Sequence, residues 1–516
     1  MIYFSRGWSV AVLFGINLLN YVDRWTVAGV LSDMQMPPSR GGFGISDSEA
    51  GLLTSVFILT YMIFSPIFGY FGDRCHRNRL IFIGVTAWSS AVFIGSFATS
   101  FSHLLACRAM VGIGEASYAN VAPTLIADMY PVDDRTRILS FYFVAVPVGS
   151  ALGFILGGQA SLYLGWRWAF RITPGVSFFL ATLLCIFMKE PPRGMSDGRL
   201  QMGDYSRVEN DGRDLEEQEA NVIKPPSNPS GLGEPPGRSS SANVAASKSW
   251  WEDVKEVWGV YSFMWSTFGL TAVTFVTGAL AQWGPSYLHR VNCADFYGPE
   301  LAACKSEINL IFGIMSCITG IGGTFLGSSL SRWYSTETNA ADGFLCGLGL
   351  LTAAPFIFLG VYMAPLNVSA AWMMIFAAEL LIGIIWVPVT AMLLYVIHPL
   401  QRATASGMQT MFSHFFGDAT SPVLVGYIAD LLQDDGETRS YSLQLALYPS
   451  ALFALLGSFC FFLSTRFLAE DRRAQNSATV INKVTLPLSN PVSPIVSLSR
   501  RNTTSANVGA ASVEPV

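Results

Sequence analysis

Charged side chains interrupt two stretches of the sequence that are otherwise apolar. Asp23 and Arg24 are adjacent in the first stretch, and Arg108 and Glu115 lie seven residues apart in another. Each charge costs about 2.5–3.5 kcal/mol at the centre of a membrane helix, so ionisable side chains there usually face a polar cavity and serve a function. Burial favours a neutral carboxyl and a nearby guanidinium favours the charged form, a balance that allows proton uptake and release. We therefore treat these four residues as candidates for proton coupling and substrate binding.

Helix geometry supports a shared site, with two alternatives beside it. Residues seven apart lie on one helix face within about 20°, so Arg108 and Glu115 would project together, and Arg108 could also bind a phosphate through its several donors. In the first alternative the apolar run ends at Asn20, and Asp23 and Arg24 form a pair at the water interface. In the second, Asp23, Arg108 and Glu115 form a permanent ion-pair network that joins two helices.

Three further ionisable residues, Glu379, His414 and Asp418, are also expected inside the membrane. His414 and Asp418 are four residues apart, so they lie one above the other on a helix. Either the histidine is neutral and hydrogen-bonded, or it changes its charge with pH, because a free imidazole titrates at about pH 6.5. The second interpretation suits a compartment of acid pH. Glu379 is either a second proton site or a carboxyl that its neighbours satisfy.

The composition is that of a membrane protein. Of the 516 residues, 51% are apolar and 13% are charged, whereas soluble proteins carry about 25% charged residues. The sequence contains no long basic tract, no metal-ligand cluster and no nucleophile elbow. We therefore expect no nucleic-acid partner, no metal, no cofactor and no enzymatic activity. The apolar run near the N-terminus has no small-residue cleavage site after it, so it is predicted to be the first membrane helix.

Hydropathy predicts twelve membrane spans, because a span needs about 20 mostly apolar residues. The fold class is therefore an all-α membrane protein with two six-helix bundles. We predict an N-terminal bundle at 1–189, a disordered cytoplasmic linker at 190–250, a C-terminal bundle at 251–470 and a disordered C-terminal tail at 471–516. The spans lie near residues 8–30, 49–70, 80–101, 104–129, 138–163, 168–188, 259–288, 307–330, 343–363, 370–396, 407–429 and 444–468.

The two halves show a faint repeat, which is typical of secondary transporters with a site between their halves. Gly69, Asp73 and Arg74 follow span 2, and a similar Gly-x-x-x-Ser-Arg pattern at 327–332 follows span 8. Arginines are densest after span 2, so we place the loops after even-numbered spans, and both termini, in the cytoplasm.

Two features agree with this orientation. Asn367 lies in a glycosylation sequon between spans 9 and 10, although a match by chance is the alternative because the loop is short. Cys293 and Cys304 share the loop between spans 7 and 8, where a disulfide would persist on the non-cytoplasmic side.

Several motifs resemble those of a known transporter family. The stretch "GYFGDRCHR" resembles the loop signature Gly-x-x-x-Asp-Arg-x-Gly-Arg of the major facilitator superfamily, with His76 in place of a glycine. Motifs between Asn20 and Asp430 resemble more closely the Spinster family of lipid transporters. Ile385 and Ala391 depart from that family's pattern, which has Asn and Asp there. The motifs are "NYVDRWTVAGVL", "GLLTSVFILTYMIFSPIFGYFGDR", "RAMVGIGEASYANVAPTLIADMYP", "GWRWAFRITP", "TAVTFVTGALAQWGPSYL" and "SHFFGDATSPVLVGYIAD".

The resemblance implies a major facilitator fold and an alternating-access carrier of amphiphilic lipids, either a lysophospholipid or a sphingoid base phosphate, with proton coupling as a further expectation. It implies that Asp23 faces the central cavity and that Asp23, Arg108 and Glu115 couple transport to protons. It also implies a latch in which the Asp73 carboxylate meets the N-terminus of span 11. The gating residues implied are Gly69, Asp73, Arg74 and Arg77.

Two rival functions are a facilitator for a small organic anion or sugar, and a membrane receptor or scaffold that transports nothing. Spans rich in aromatic and small residues, with few charges at one level, favour an amphiphile over a sugar. The expected partners are thus a lipid substrate and protons. We expect a monomer in the late endosomal or lysosomal membrane, with the plasma membrane and the mitochondrial inner membrane as alternatives.

Overall fold

The computed structural model describes residues 5–191, 250–335, 340–398 and 401–485. Within these residues the chain forms α-helices and two short 3-10 turns, without β-strands. The helices of the N-terminal half are α1 (Arg6–Met34), α2 (Asp47–Arg74), α3 (Arg77–Gly95), α4 (Phe101–Met129), α5 (Val132–Phe143), α6 (Ala145–Tyr163) and α7 (Ala169–Phe187). Those of the C-terminal half are α8 (Trp250–Trp258), α9 (Tyr261–Asn292), α10 (Gly298–Ser335), α11 (Ala341–Met363), α12 (Val368–Gly383), α13 (Trp386–Val396), α14 (Arg402–Phe416), α15 (Ser421–Asp434), α16 (Arg439–Leu447) and α17 (Pro449–Thr485).

Helices cover all twelve predicted spans. Spans 1 to 4 are α1 to α4, span 6 is α7, and spans 7 to 9 are α9 to α11. Spans 5, 10, 11 and 12 are each divided into two consecutive helices, namely α5 with α6, α12 with α13, α14 with α15, and α16 with α17.

Three of the twelve predicted spans depart from the length and composition of a typical membrane helix. Among the described residues, nine helical segments are long and apolar enough to cross a membrane, and spans 1, 4 and 11 are not among them. Spans 1 and 4 contain the candidate charges. Span 11 is divided at Gly417 into helices of 15 and 14 residues.

Local sequence fixes where α2 begins and where α4 ends. The Ser46 hydroxyl accepts a hydrogen bond from the Glu49 N–H, and the Glu49 carboxylate accepts one from the Ser46 N–H, which forms a capping box at the start of α2. The helix α4 ends at Met129, two residues before Pro131, which becomes the N-cap of α5.

The two halves meet mainly through α2 with α15 and through α6 with α10. We call the side of the α1–α2 connection the outer side and the side of the α2–α3 connection the inner side, which the arginines predict to be cytoplasmic. A Cβ atom at Gly51 would overlap the carbonyl oxygen of Pro422, and one at Gly426 would overlap that of Asp47. Glycine at these two positions therefore lets α2 and α15 touch backbone to backbone near the outer side.

The predicted linker, apart from residues 190, 191 and 250, lies outside the described residues. The last helix, α17, continues to Thr485, past residue 471 where we placed the start of the tail, and the rest of the tail also lies outside the described residues. The division into two bundles, a linker and a tail stays a prediction.

Candidate functional site

Asp23 is buried within the N-terminal half. The residue is only 2% exposed. The indole Nε1 of Trp88 on α3 donates a hydrogen bond of 2.7 Å to Oδ2, and the hydroxyl of Thr173 on α7 donates to Oδ1. We predicted a carboxylate that faces the central cavity. The structure instead turns it toward α3 and α7, because these helices supply the donors that a buried carboxylate needs.

Arg24 projects toward the boundary between the two halves. Successive residues of an α-helix point about 100° apart, so Arg24 leaves α1 in a different direction from Asp23. Its Nη1 atom lies 3.8 Å from Oε1 of Glu115 on α4, and its Nη2 atom lies 3.5 Å from Oδ2 of Asp418. Arg24 therefore connects a carboxylate of the N-terminal half with one of the C-terminal half.

Arg108 and Glu115 are both buried, each with 3% exposure. The guanidinium carbon of Arg108 lies 4.9 Å from the ring centre of Phe57, and that of Arg24 lies 5.1 Å from the same ring. Arg108 is also close enough to Glu115 and Asp23 to interact with them electrostatically. The ring of Phe57, a residue that the sequence analysis missed, thus lies against both guanidiniums, and the four predicted residues form one linked cluster.

Two donors of Arg108 are not used. Its Nε and Nη2 groups are buried and have no hydrogen-bond partner among the described residues. Buried donors normally have partners, and leaving one without a partner costs about 1–3 kcal/mol. Arg108 therefore carries two donors whose burial is not offset by a hydrogen bond.

Glycines in α4 make this arrangement compact. A Cβ atom at Gly112 would overlap Phe57 and Thr60 of α2, and one at Gly114 would lie 2.8 Å from Cβ of Trp88 on α3. The charged residues of α4 are consequently held close to both neighbouring helices.

His414 and Asp418 lie together on the C-terminal side of the cluster. Nδ1 of His414 is 2.8 Å from Oδ1 of Asp418, as their spacing predicts. Asp418 lies in the break between α14 and α15, where the backbone leaves the helical conformation at Gly417. The break lets the carboxylate reach Arg24 and His414 together.

A cavity of about 380 Å³ extends from His414 toward the inner side of the C-terminal half. Its polar wall includes Arg402, Gln409 and Thr410, and its apolar wall includes Leu270, Trp386, Val389 and Leu393. The sequence analysis missed these residues. The position of Arg402 just before a predicted span was a usable signal, since an arginine there can reach into a cavity mouth.

Comparison with known proteins identifies the family. The sequence model of the Major Facilitator Superfamily matches residues 13–422. The chain is 39% identical to protein spinster homolog 1 of Homo sapiens over 90% of its own length and 81% of that protein's. It is 35% identical to a Xenopus tropicalis protein named sphingosine-1-phosphate transporter SPNS2, over 88% and 81% of the two lengths.

The chain belongs to the spinster family of the major facilitator superfamily. It is therefore a multi-pass membrane transporter and not an enzyme, and the expected family and fold are confirmed. A solved bacterial homolog of the human lysosomal transporter Spinster, in an inward-facing and unoccupied conformation, matches with a TM-score of 0.70 at 22% identity, over 90% of this chain and 98% of that one. The nucleoside transporter NupG shares the fold at a TM-score of 0.60 and 11% identity, over 89% and 100% of the two chains.

In this spinster-family chain, Glu379 lies apart from Arg24 and its partners Glu115 and Asp418. Its carboxylate accepts hydrogen bonds from the hydroxyls of Ser316 at 3.2 Å and Thr319 at 2.9 Å, both on α10. These contacts lie within the C-terminal half. A role in proton coupling would have to be independent of Arg24.

The predicted gating residues lie at the inner ends of α2 and α3. Arg77 is buried and donates to Asp128 at 2.6 Å and to Glu190 at 3.1 Å, two partners that the sequence analysis missed. The guanidinium of Arg74 stacks on Tyr70 at 3.7 Å. Gly69 has open space where a side chain would lie, and the side chain of Asp73 lies outside the described part of the chain.

The two predicted outer features occupy helix ends. Cys293 and Cys304 form a disulfide between the end of α9 and the start of α10. Asn367 is exposed and caps α12, because its side-chain oxygen accepts from the Ala370 N–H at 3.1 Å. Its amide nitrogen is left for glycosylation, which stays a prediction.

Proposed function

We propose that this transporter carries an amphiphilic lipid with an anionic head group, either a lysophospholipid or a sphingoid base phosphate, and couples its movement to protons. The observation that carries the proposal is the contact of Arg24 with Glu115 in one half and with Asp418 in the other. Because Arg24 is shared between carboxylates of the two halves, protonation of one carboxylate changes the attraction that sets the relative position of the halves. The name of the Xenopus tropicalis relative, a sphingosine-1-phosphate transporter, supports the substrate class.

Protonation of Glu115 is the coupling step. It removes one of the two negative charges that attract Arg24, while the contact with Asp418 remains. A buried guanidinium needs a counter-charge, so Arg24 then pairs more strongly with Asp418 or with the bound anion. Release of the proton restores the attraction toward α4.

Arg108 is the proposed head-group ligand. Its unused Nε and Nη2 donors have the fork geometry that binds phosphate oxygens. The cavity that begins at His414, in the C-terminal half, offers polar residues beside an apolar wall, which suits one polar head and one apolar tail. Asp23, held by Trp88 and Thr173, would tune the field at Arg108 without touching the substrate.

The remaining site residues have proposed supporting roles. Gly69, Asp73, Arg74 and Arg77 form the inner gate, with the Asp73 carboxylate meeting the N-terminus of α14 when that gate closes. His414 is a secondary proton site because it contacts Asp418. Glu379 is a second, independent one.

We propose a monomer in the late endosomal or lysosomal membrane, where an acid lumen supplies the protons. Imaging of the tagged chain against organelle markers tests the location. Staining confined to the plasma membrane or to mitochondria would contradict it.

A substrate panel tests the proposed function. The full chain is reconstituted in liposomes and given labelled lysophosphatidylcholine, sphingosine-1-phosphate or glucose, with and without a pH gradient. We expect uptake of one of the lipids, faster with the gradient, and slower uptake in an Arg108→Gln variant. Uptake of glucose alone would identify a sugar facilitator, and no uptake of any compound would favour a receptor or scaffold.

A further inference from the structure

Asp47, at the first position of α2, is a fully buried carboxylate on the outer side. Arg290, at the end of α9 in the other half, donates to both of its oxygens, with Nη1 at 2.8 Å from Oδ2. Gln35 donates to Oδ1 at 2.6 Å and Gln433 to Oδ2 at 3.0 Å. Asp47 therefore joins the N-terminal half to two different helices of the C-terminal half.

Asp430 makes the reciprocal contact. This carboxylate of α15 accepts hydrogen bonds from the backbone N–H groups of Asp47 at 2.9 Å and Ser48 at 2.7 Å, and from the Ser48 hydroxyl at 2.5 Å. A carboxylate at a helix N-terminus is stabilised by the unpaired N–H groups there and by the helix dipole. Asp430 thus caps a helix of the opposite half.

A second polar contact lies beside the first. Asp33, near the end of α1, accepts a hydrogen bond of 2.8 Å from Nζ of Lys305 on α10 and another from the hydroxyl of Ser161. The Ser32 hydroxyl lies 2.9 Å from Nδ1 of His289 on α9. The contacts of Asp33 with Lys305 and of Ser32 with His289 again join the two halves, whereas Ser161 belongs to the same half as Asp33.

The disulfide joins the two helix ends that supply these cations. Arg290 precedes Cys293 by three residues, and Lys305 directly follows Cys304. The covalent link between Cys293 and Cys304 therefore holds α9 and α10 in the position from which Arg290 reaches Asp47 and Lys305 reaches Asp33.

We propose that these contacts form the outer gate of the transporter, that Asp47 and Asp430 are its two closing carboxylates, and that the disulfide positions its cations. Among the described residues, the hydrogen bonds that join the two halves lie either on the outer side or at Arg24. Further examples on the outer side are Thr54 to Gln282 at 2.8 Å and Asn309 to Gly29 at 2.8 Å. Alternating access requires the halves to separate on this side. The contacts must then break in the outward-open state, so each one stabilises the outer-closed state alone.

The test measures the opening of the outer side directly. Spin labels are attached to cysteines introduced at the exposed outer positions Ser39 and Glu437, in a full chain whose six cysteines outside the disulfide are replaced by serine. Pulsed electron resonance in liposomes gives the distribution of label distances. Asp47→Asn is expected to raise the ratio of long to short distances by about tenfold or more, since breaking a buried pair leaves the other group uncompensated. Asp430→Asn should also raise the ratio, by a smaller factor, because it removes the negative charge that caps α2.

A matched control lies two residues away on the same helix. Glu49→Gln alters the exposed capping box, and Glu49 makes no hydrogen bond or ion pair with the described residues of the C-terminal half, so the distances should stay unchanged. The pair Cys293→Ser with Cys304→Ser should raise the long-distance fraction less than Asp47→Asn. Thermal unfolding of each variant confirms that it is folded, and the use of two carboxylate variants covers the case in which one does not fold.

Distances in Asp47→Asn and Asp430→Asn that equal those of Glu49→Gln would overturn the proposed gate. If the variant with Cys293→Ser and Cys304→Ser gives the same distances as the parent, the disulfide is not part of the gate. No substrate or pH gradient enters the measurement, so its outcome is separate from that of the lipid and proton proposals.

Discussion

At the scale of single residues, one step along α1 separates two charges that the sequence places side by side. Asp23 receives donors from Trp88 and Thr173, whereas Arg24 reaches Glu115 and Asp418. The sequence analysis predicted that these charges belong to one cluster, because membrane helices tolerate charges only at such sites. It could not predict their separate partners, because Trp88 lies 65 residues from Asp23 and Asp418 lies 394 residues from Arg24 along the chain.

Replacement of Glu115 tests the coupling proposal. Glu115→Gln keeps the shape of the side chain but cannot gain or lose a proton, so lipid uptake should continue with most of its dependence on the pH gradient lost. Uptake into liposomes at several external pH values measures this. Glu307→Gln, at an exposed position of α10, serves as the control and should behave as the parent. A pH dependence in Glu115→Gln equal to that of the parent would refute the coupling step.

Replacement of Trp88 tests what holds Asp23. Trp88→Phe removes the 2.7 Å hydrogen bond to the carboxylate and leaves a buried acceptor with one fewer donor, which should lower stability by about 1–3 kcal/mol. Thermal unfolding in detergent measures the loss. Trp8→Phe, at a tryptophan that is 65% exposed, should have no comparable effect. An equal melting temperature for both variants would show that the indole donor is dispensable.

At the scale of helices, α2 and α15 determine how closely the halves approach. Gly51 and Gly426 permit backbone contact, and the break at Gly417 brings Asp418 to Arg24. The sequence analysis found both spans but no break, because hydropathy averages over a window of residues and does not register a single change of backbone direction. A glycine in a helix indicates that another helix approaches closely, but the sequence does not identify that helix.

A methyl group at the α2–α15 contact should open the outer side. In Gly51→Ala the new Cβ atom would overlap the Pro422 carbonyl, so the two helices must move apart and the outer-closed state loses stability. The Ser39–Glu437 label pair should then report more of the long distance. Gly175→Ala on α7 is the control, since nothing lies within 4 Å of the added atom. If Gly51→Ala leaves the distribution of label distances unchanged, the packing of α2 against α15 tolerates the extra methyl group without opening the outer side.

At the scale of the whole molecule, the sequence predicted the architecture and missed the outer gate. Twelve spans, two similar halves and the pair of cysteines in one outer loop followed from hydropathy and spacing. The contacts of Asp47 join residues 243 and 386 positions apart, and no local pattern marks such partners. Polar residues at the ends of spans look like ordinary interfacial residues until the halves are seen together.

The antiparallel packing of α2 against α14 and α15 allows a carboxylate at the end of each span to cap the start of the other, which predicts two latches that work in opposition. Asp430, in the last turns of α15, caps the outer end of α2, and the family resemblance implies that Asp73, at the inner end of α2, caps α14. Each carboxylate stabilises one closed side, so loss of one latch should shift the equilibrium toward the state that the other one holds. Asp430→Asn should raise the long-distance fraction of the Ser39–Glu437 labels, and Asp73→Asn should lower it.

The double variant decides whether the latches are independent. If each contributes only to its own state, the two shifts in free energy add, and the shift in the double variant should equal the sum of the two opposed single shifts. The measurement needs a condition in which both states are populated, which Gly51→Ala is expected to provide as the parent. Shifts in the same direction for both aspartates would contradict opposed latches, because a carboxylate that holds the inner side closed cannot also hold the outer side closed.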